Sequence, residues 1–445
     1  MPDEAAQRFS MLRTLKIGTF HIGSAFADLL TSGVLNRVLI SDLGIGATPV
    51  SLLLALRYLL APLSIWAGHR SDSHPFMGYH RLPYIWLGRL LMLVSLPLLP
   101  LVVVLLAADQ RSLAGWGLAL LSFLVYGVGT LFSGSTFLAL VRESAPPEKR
   151  GQALSIVQVF LVVSFPLAAI LYARLMPNYS PAAFWALTLS GVTLAAGFWL
   201  FALFGAEQPG KQALRAEEPI AFRALLREMW ADRRARLFFI FLALGATSAF
   251  AQDAVLEPFG GDVFDLDAAQ TTRFNAYWGL GVVISMIGTV VFTRRRAAHE
   301  QVGTTALGLA CTALPLALLG LTALTSMEEL LLSSLVLFGF GFGIYTVGAV
   351  SLLMAMTADR RSGAYLGLWT VAQLVFRGVG IGLGGTTRDL VYSLTGSFPL
   401  AYATVFICEA IGLAACIPLI LAVDVPGFAR RQPAVPAANL AAVAD

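Results

Sequence analysis

Charge is the scarcest feature of this 445-residue chain. Asp, Glu, Lys and Arg make up 13% of it, against about 25% in soluble domains. The net charge of +4 is too small to point to a nucleic-acid partner. Cysteine is scarce too. Cys311, Cys408 and Cys416 all fall in apolar runs, which excludes a disulfide framework and leaves three free thiols. No P-loop and no G-x-S-x-G nucleophile motif occurs, so no catalytic residue is assigned and the chain is not read as an enzyme. Histidine is rare. His69, His74 and His80 are spaced five and six apart, which matches no zinc pattern, and no metal site is assigned. The N-terminus lacks a cleavable signal pattern: the apolar run after Lys16 is too long, carries Asp28 and has no small-residue cleavage site.

What is abundant is apolar surface. Hydrophobic residues make 57% of the chain, and the mean hydropathy is +0.76. A bilayer core takes roughly 20 apolar residues per helix. Twelve such spans are predicted, near 17–40, 48–67, 83–107, 114–141, 153–174 and 181–204, then 237–257, 271–293, 303–325, 330–356, 364–386 and 399–423. The expected fold is an all-α polytopic bundle in the lipid bilayer. Its organisation is a six-helix half over 1–204, a charged linker over 205–236, a second half over 237–423, and a Pro/Ala-rich disordered tail over 424–445.

Basic residues gather in alternate turns. Arg8, Arg13, Lys16, Arg70, Arg81, Arg142, Lys149, Arg150, the linker cluster, Arg294, Arg295, Arg296, Arg360, Arg361, Arg430 and Arg431 share one side. The other side has Arg111, Arg388 and the acids Asp262, Asp265 and Asp267. Positive-inside asymmetry puts both termini and the linker in the cytoplasm. Gly127, Gly129, Leu140, Gly151 and Leu154 each recur 212 residues later, without a gap, in spans 10 and 11. Parallel six-helix repeats are the plan of the major facilitator superfamily. That superfamily carries a Gly, then an Asp four residues on, then basic residues, between spans 2 and 3. Gly68, Arg70, Asp72, His80 and Arg81 occupy this turn. They are the candidate cytoplasmic latch, in which a carboxylate at a helix end pairs with arginines of a neighbour. The turn between spans 8 and 9 has only Arg294, Arg295 and Arg296.

Charges inside spans are costly and mark function or pinning. Asp28 and Arg57 lie at similar depth in spans 1 and 2, and Arg377 and Glu409 at similar depth in spans 11 and 12. Each couple is expected to form an ion pair. The plain account is that each pins two helices; the functional account is gating or a ligand contact.

One motif string is narrower than the superfamily. Gly33-Val-Leu-Asn36-Arg37-Val, Ile40-Ser-Asp-Leu43-Gly-Ile, Gly68-His-Arg70-Ser71-Asp72, Gly78-Tyr-His80-Arg81 and Pro83-Tyr84-Ile-Trp86 occur in order. It resembles the PucC/LhaA family of phototrophic bacteria, densest over residues 30–90. The resemblance implies a membrane assembly factor for light-harvesting complexes. It would bind bacteriochlorophyll or chlorophyll as cargo and deliver it to antenna polypeptides, with chlorophyll synthase as a second partner. Its place would be the inner or intracytoplasmic photosynthetic membrane. Magnesium in such a pigment takes an axial ligand, for which neutral imidazole is suited. His21, the one histidine within a span, is the candidate, with the amides of Gln158, Asn275 and Gln373 beside it. A lone helix histidine also has a plain reading, in packing or an interhelical hydrogen bond. Two other functions stay open: a major-facilitator transporter of a small molecule, and a scaffold that never touches pigment.

Overall fold

A computed structural model describes residues 9–146, 149–207, 209, 227, 230–356 and 362–425, with the side chains of Asp72 and 362–366 excepted. Most of the expected linker and the tail beyond 425 lie outside the described residues. Twelve helical rods are present among those described. They are α1 (11–42), α2 (Ala47–Ser71), α3 (Leu82–Ala108), α4 (Leu113–Glu143), α5 (Arg150–Leu175) and α6 (Pro181–Leu203). The second set is α7 (Arg233–Ala254), α8 (Ala268–Thr293), α9 (Val302–Thr325), α10 (Glu329–Ala355), α11 (Ser362–Thr395) and α12 (Phe398–Ala422). A short helix, Leu256–Phe264, caps the end of α7. No strand occurs among the described residues.

Among the described residues, ten rods are long and apolar enough to cross a bilayer. The other two depart for identifiable reasons. Two π segments, Leu30–Val34 and Val38–Asp42, break the regular ladder of α1. α11, whose first residues are described only in part, carries Arg377, Arg388 and Asp389 within its length. Both exceptions lie where the two halves meet.

The turn after α2 and the end of α4 lie on one face, called basic here; the turns holding Asp42, Asp109 and Asp265 lie on the other, called acidic. Three rods that start on the acidic face are capped alike. Ser112, Ser180 and Ser397 accept an N–H three residues on, at the starts of α4, α6 and α12, satisfying a donor the helix leaves open.

Glycines set the crossings within each half, because lipid supplies no hydrophobic drive and close backbone approach must hold helices together. Gly129 of α4 lies on the Gly88 carbonyl of α3, and Gly341 of α10 on the Cys311 carbonyl of α9. Gly127 meets Arg57 of α2, and Gly339 meets Trp278 of α8. The repeated glycines therefore do the same job on equivalent helices.

Between halves, the packing is one-sided. The Ala47–Leu59 part of α2 packs along α11, whereas its Pro62–Ser73 part packs on α4 of its own half. The 30–42 part of α1 meets the Leu256–Phe264 helix, and α5 meets α8. Gly378, Gly382 and Gly385 of α11 sit on Tyr58, Leu52 and Ser51 of α2. The α2–α11 and α1 contacts fall in the acidic-face portion of the helices, and the α5–α8 contact reaches mid-helix, where Gly279 sits against Pro166. Toward the basic face no inter-half packing of this extent occurs among the described residues, which leaves room for a cleft between the halves there.

A methyl group at Gly129 would meet the backbone of Gly88, whereas one at Gly134 meets nothing within 4 Å. Gly129→Ala is expected to destabilise by about 1–3 kcal/mol, and Gly134→Ala to be neutral or to stabilise by about 0.5–1 kcal/mol. Thermal unfolding of the two variants in one detergent checks the contrast.

Candidate functional site

The cleft ends in a polar roof shared by both halves. Arg57 of α2 is about 15 Å along its helix from Ala47. Its Nη1 donates to Asp28 Oδ1 at 2.9 Å and its Nη2 to the Tyr58 hydroxyl at 2.6 Å. Tyr126 of α4 donates to the same Asp28 oxygen at 2.7 Å. Across the joint, Arg377 of α11 donates to Asp253 Oδ2 at 2.7 Å. The Arg377 guanidinium carbon lies 4.7 Å from the Tyr58 ring centre and 4.0 Å from that of Phe250. Arg57 lies 4.6 Å from the Tyr58 ring. One ring thus carries a guanidinium from each half, and each guanidinium is neutralised on its far side by an aspartate.

Asp28 and Arg57 are in contact, but Arg377 and Glu409 are not: the carboxylate that holds Arg377 is Asp253. The reason is a break in α7. The helix tightens into a 3-10 turn over Ala251–Ala254, which sends adjacent residues to different neighbours. The Gln252 N–H donates to Glu409 Oε1, while the Asp253 side chain faces Arg377. Glu409 is 2% exposed and its Oε2 has no hydrogen-bond partner.

Above the roof, the string that includes Asn36 and Arg37 forms the clamp at the acidic face. Gly33 has no side chain because the Glu257 carboxylate fills that space. Arg37 Nη2 donates to the Leu266 carbonyl at 3.0 Å, and its Nη1 lies 3.0 Å from Asp42 Oδ1. Burial holds the Asp42 carboxyl above the ordinary carboxylate range, although Arg37 pulls the other way. Asp389 of α11 accepts from the Ala47 and Thr48 N–H groups at 2.9 and 2.7 Å. A carboxylate at a helix N-terminus is favoured by the helix dipole. Arg388 bridges Asp389 and Asp262 at 2.9 and 2.6 Å, and Tyr402 donates to Asp262.

The described contacts of the basic-face turn gather around one arginine. That hub is Arg81, which donates to Glu143 Oε1 through Nη2 at 2.6 Å and to Ser71 Oγ through Nη1 at 2.9 Å. Glu207, just after α6, accepts from the N–H groups of His80, Arg81 and Leu82. Ser71 donates to the His80 carbonyl at 2.8 Å. Among the described residues, the Arg70 guanidinium meets His74 at 3.2 Å. A methyl group at Gly68 would make ordinary van der Waals contact with Ser135 of α4. The Asp72 side chain lies outside the described residues. Every one of these contacts ties α2 and α3 to their own half, so the turn is a brace within the N-terminal half.

The four candidate pigment ligands fall in unlike settings. His21 Nε2 is buried without a partner, walled by Phe20 and Phe137 with ring centres at 5.8 and 5.2 Å. A flat macrocycle reaches it only if those rings move. The Asn275 amide is engaged: it donates to Glu257 at 2.6 Å and accepts from Trp278 at 3.4 Å. Gln158 is exposed on α5. Gln373 is partly exposed, has no partner among the described residues, and lies one turn from Arg377 on the same side of α11.

Several of these residues escape a reading of the sequence. Asp253 and Glu257 do stand inside the seventh span, a signal as visible as Glu409. Arg89 stands inside the third; it is 4% exposed and packed against Phe20 at 4.1 Å and Trp199 at 4.5 Å. Glu207 and Asp389 carry no local signal, because their partners are backbone N–H groups distant in sequence.

The family model described as "PUCC protein" matches residues 34–428. The chain belongs to the PUCC protein family. Its relatives include Protein PucC of Cereibacter sphaeroides, 30% identical over 92% of this chain and 91% of the relative. An uncharacterized protein of the puhA-bchM intergenic region of Rhodobacter capsulatus is 29% identical over 92% and 88%. A protein of that species named bacteriochlorophyll synthase 44.5 kDa chain is 28% identical over 85% and 88%. Among solved structures, a bacterial homologue of the iron transporter ferroportin in an inward-facing state superposes with a TM-score of 0.70, covering 94% of this chain and all of that one, at 14% identity. The nucleoside transporter NupG (D323A mutant) gives 0.67 over 92% and 98% at 14%. The PUCC chain thus has the major-facilitator fold.

Two variants test the roof and the clamp. Glu409→Gln keeps an oxygen for the Gln252 N–H and is expected to change stability little. Glu409→Leu strands that buried donor and is expected to cost about 1–3 kcal/mol. Arg37→Met removes the bond to Leu266 and is expected to lower the melting temperature more than Asp42→Asn, because Asp42 offsets much of its ion pair by its own burial. Melting curves in detergent rank each pair.

Proposed function

We propose that the chain is a membrane assembly factor for photosynthetic light-harvesting complexes, and that it carries a chlorophyll-type pigment in the cleft between its halves. The pigment goes to antenna polypeptides, and chlorophyll synthase is the class of partner that supplies it. The family carries the assembly role, and the relative named as a bacteriochlorophyll synthase chain supports the link to the pigment. The observation that carries the pigment reading is the one-sided joint. The halves are closed at the acidic face by Asp389, Arg37 and Arg388, and toward the basic face no inter-half packing of this extent occurs among the described residues. Positive-inside asymmetry makes that face cytoplasmic, with both termini there, in a photosynthetic membrane.

The residues suit the cargo in two respects. Gln373 is partly exposed, and its amide oxygen would hold the magnesium of a pigment. It supplies a neutral oxygen ligand, and the chemistry of light absorption belongs to the pigment. His21 offers an unpartnered nitrogen that becomes available if Phe20 and Phe137 shift. The role asks no covalent step of this chain: it binds, orients and shields. A transporter of a small molecule is the second reading, favoured by the paired charges at the roof, which a polar solute would meet.

The deciding measurement is an absorption spectrum of the protein purified in mild detergent from a pigment-making host, beside the same protein from a host without pigment. A stoichiometric, red-shifted chlorophyll-type band that stays with the protein through gel filtration is expected. Colourless protein from both hosts turns the balance to solute transport.

A further inference from the structure

Arg377 is only partly used by the protein. Its Nη2 holds Asp253, its Nε has no partner, and no bond from Nη1 occurs among the described residues. Nearly a third of the side chain, 31%, is exposed. It is not loose: Phe250 at 4.0 Å and Tyr58 at 4.7 Å hold the guanidinium plane between them. The result is a fixed, flat cation whose Nε is buried and whose Nη1 donors meet no acceptor among the described residues. A guanidinium held this way matches an oxygen acceptor and loses little entropy in binding one.

Its position adds to the point. One residue further along α11, Gly378 sits against Tyr58 and Ala55 at the joint. Arg377 therefore lies at the closed end of the cleft. Gln373 is one helical turn toward the open end, so the two side chains rise about 5–6 Å apart from one side of one helix. That spacing is comparable to the distance from the centre of a tetrapyrrole to its rim. The counterpart in the other half, Arg57, is in a different state: its two terminal nitrogens are engaged by Asp28 and Tyr58, and its side chain is 11% exposed.

We infer that Arg377 is a specificity-determining residue of the cleft, which reads a rim oxygen, keto or ester, of a tetrapyrrole whose centre lies over Gln373. This rests on the pigment reading above. It divides recognition between two residues: Gln373 answers to the metal, and Arg377 answers to the oxygen pattern of the ring edge. A lipid carbonyl or phosphate offers Arg377 the same acceptor chemistry, so the test must tell the two apart.

Two magnesium-free probes do so by tryptophan-fluorescence titration of the whole chain in lipid nanodiscs. Methyl pheophorbide carries keto and ester oxygens on its rim, and etioporphyrin has an alkyl rim. The wild-type protein is expected to prefer methyl pheophorbide by about tenfold, the worth of one charge-assisted hydrogen bond. Arg377→Lys keeps a cation for Asp253 without the fork and is expected to reduce the preference to about threefold or less. The double change Arg377→Met with Asp253→Asn removes both charges together, so that no carboxylate is left bare, and is expected to abolish it. Gln373→Leu is expected to leave the preference intact and to remove any gain from inserting magnesium into methyl pheophorbide. Equal binding of both probes by the wild type overturns the inference and leaves the pigment reading standing. A preference that survives the double change also overturns it. Binding of neither probe overturns the inference and leaves the pigment reading to the absorption spectrum. If the Arg377 variants bind tetrapyrroles as the wild type does but lose co-purifying phospholipid by mass spectrometry, the acceptor is a lipid and the inference fails. Gel filtration confirms which variants fold, and the wild-type comparison decides even if none does.

Discussion

Tyr58 lies between two guanidinium groups, one from each half, and the joint is built outward from that ring. Two cations on one ring repel each other. The arrangement holds because Asp28 and Asp253 stand on the outer sides, giving an alternation of acid, base, ring, base and acid across the midline. In a low-dielectric interior each half needs its own counter-ion, since removing one partner of a buried pair costs roughly 3–5 kcal/mol. Neutralising each half separately lets them meet through an uncharged ring.

Above that ring the joint is made of backbone. Asp389 binds the exposed N–H groups at the start of α2, Arg37 binds the Leu266 carbonyl, and glycines of α11 let α2 approach. The π segments of α1 and the 3-10 turn of α7 both occur at this level. Irregular backbone is tolerated at such depth only where protein covers it. Below the ring, α2 turns back to its own half, and the Arg81–Glu143–Glu207 brace keeps it there. A braced N-terminal half and a joint closed at the acidic face follow from the same set of contacts.

The site was legible in part. Asp28 and Arg57 stood out because a charge within an apolar run is conspicuous and their depths agree. Depth alone misassigned Arg377, since Asp253 and Glu409 are at the same level, and only the rotation of the 251–254 turn separates them. Tyr58, which joins everything, looks like any aromatic residue of a span. The Asn36–Arg37 string was visible as a motif without a mechanism; its partners, the Asp253 and Leu266 carbonyls, carry no side-chain signal.

The sequence by itself determined the membrane character, the succession of apolar spans and the alternation of basic turns, because hydropathy and charge act segment by segment. It also determined the family, through residues adjacent in order. Tertiary structure alone decided which acid holds which arginine, that the basic-face turn braces one half, that His21 is walled in and Gln373 partly exposed, and at which face the halves close. Those depend on helix rotation and on breaks in the backbone ladder. A rotation of one residue turns a side chain by about 100°, and nothing in a span's hydropathy records it.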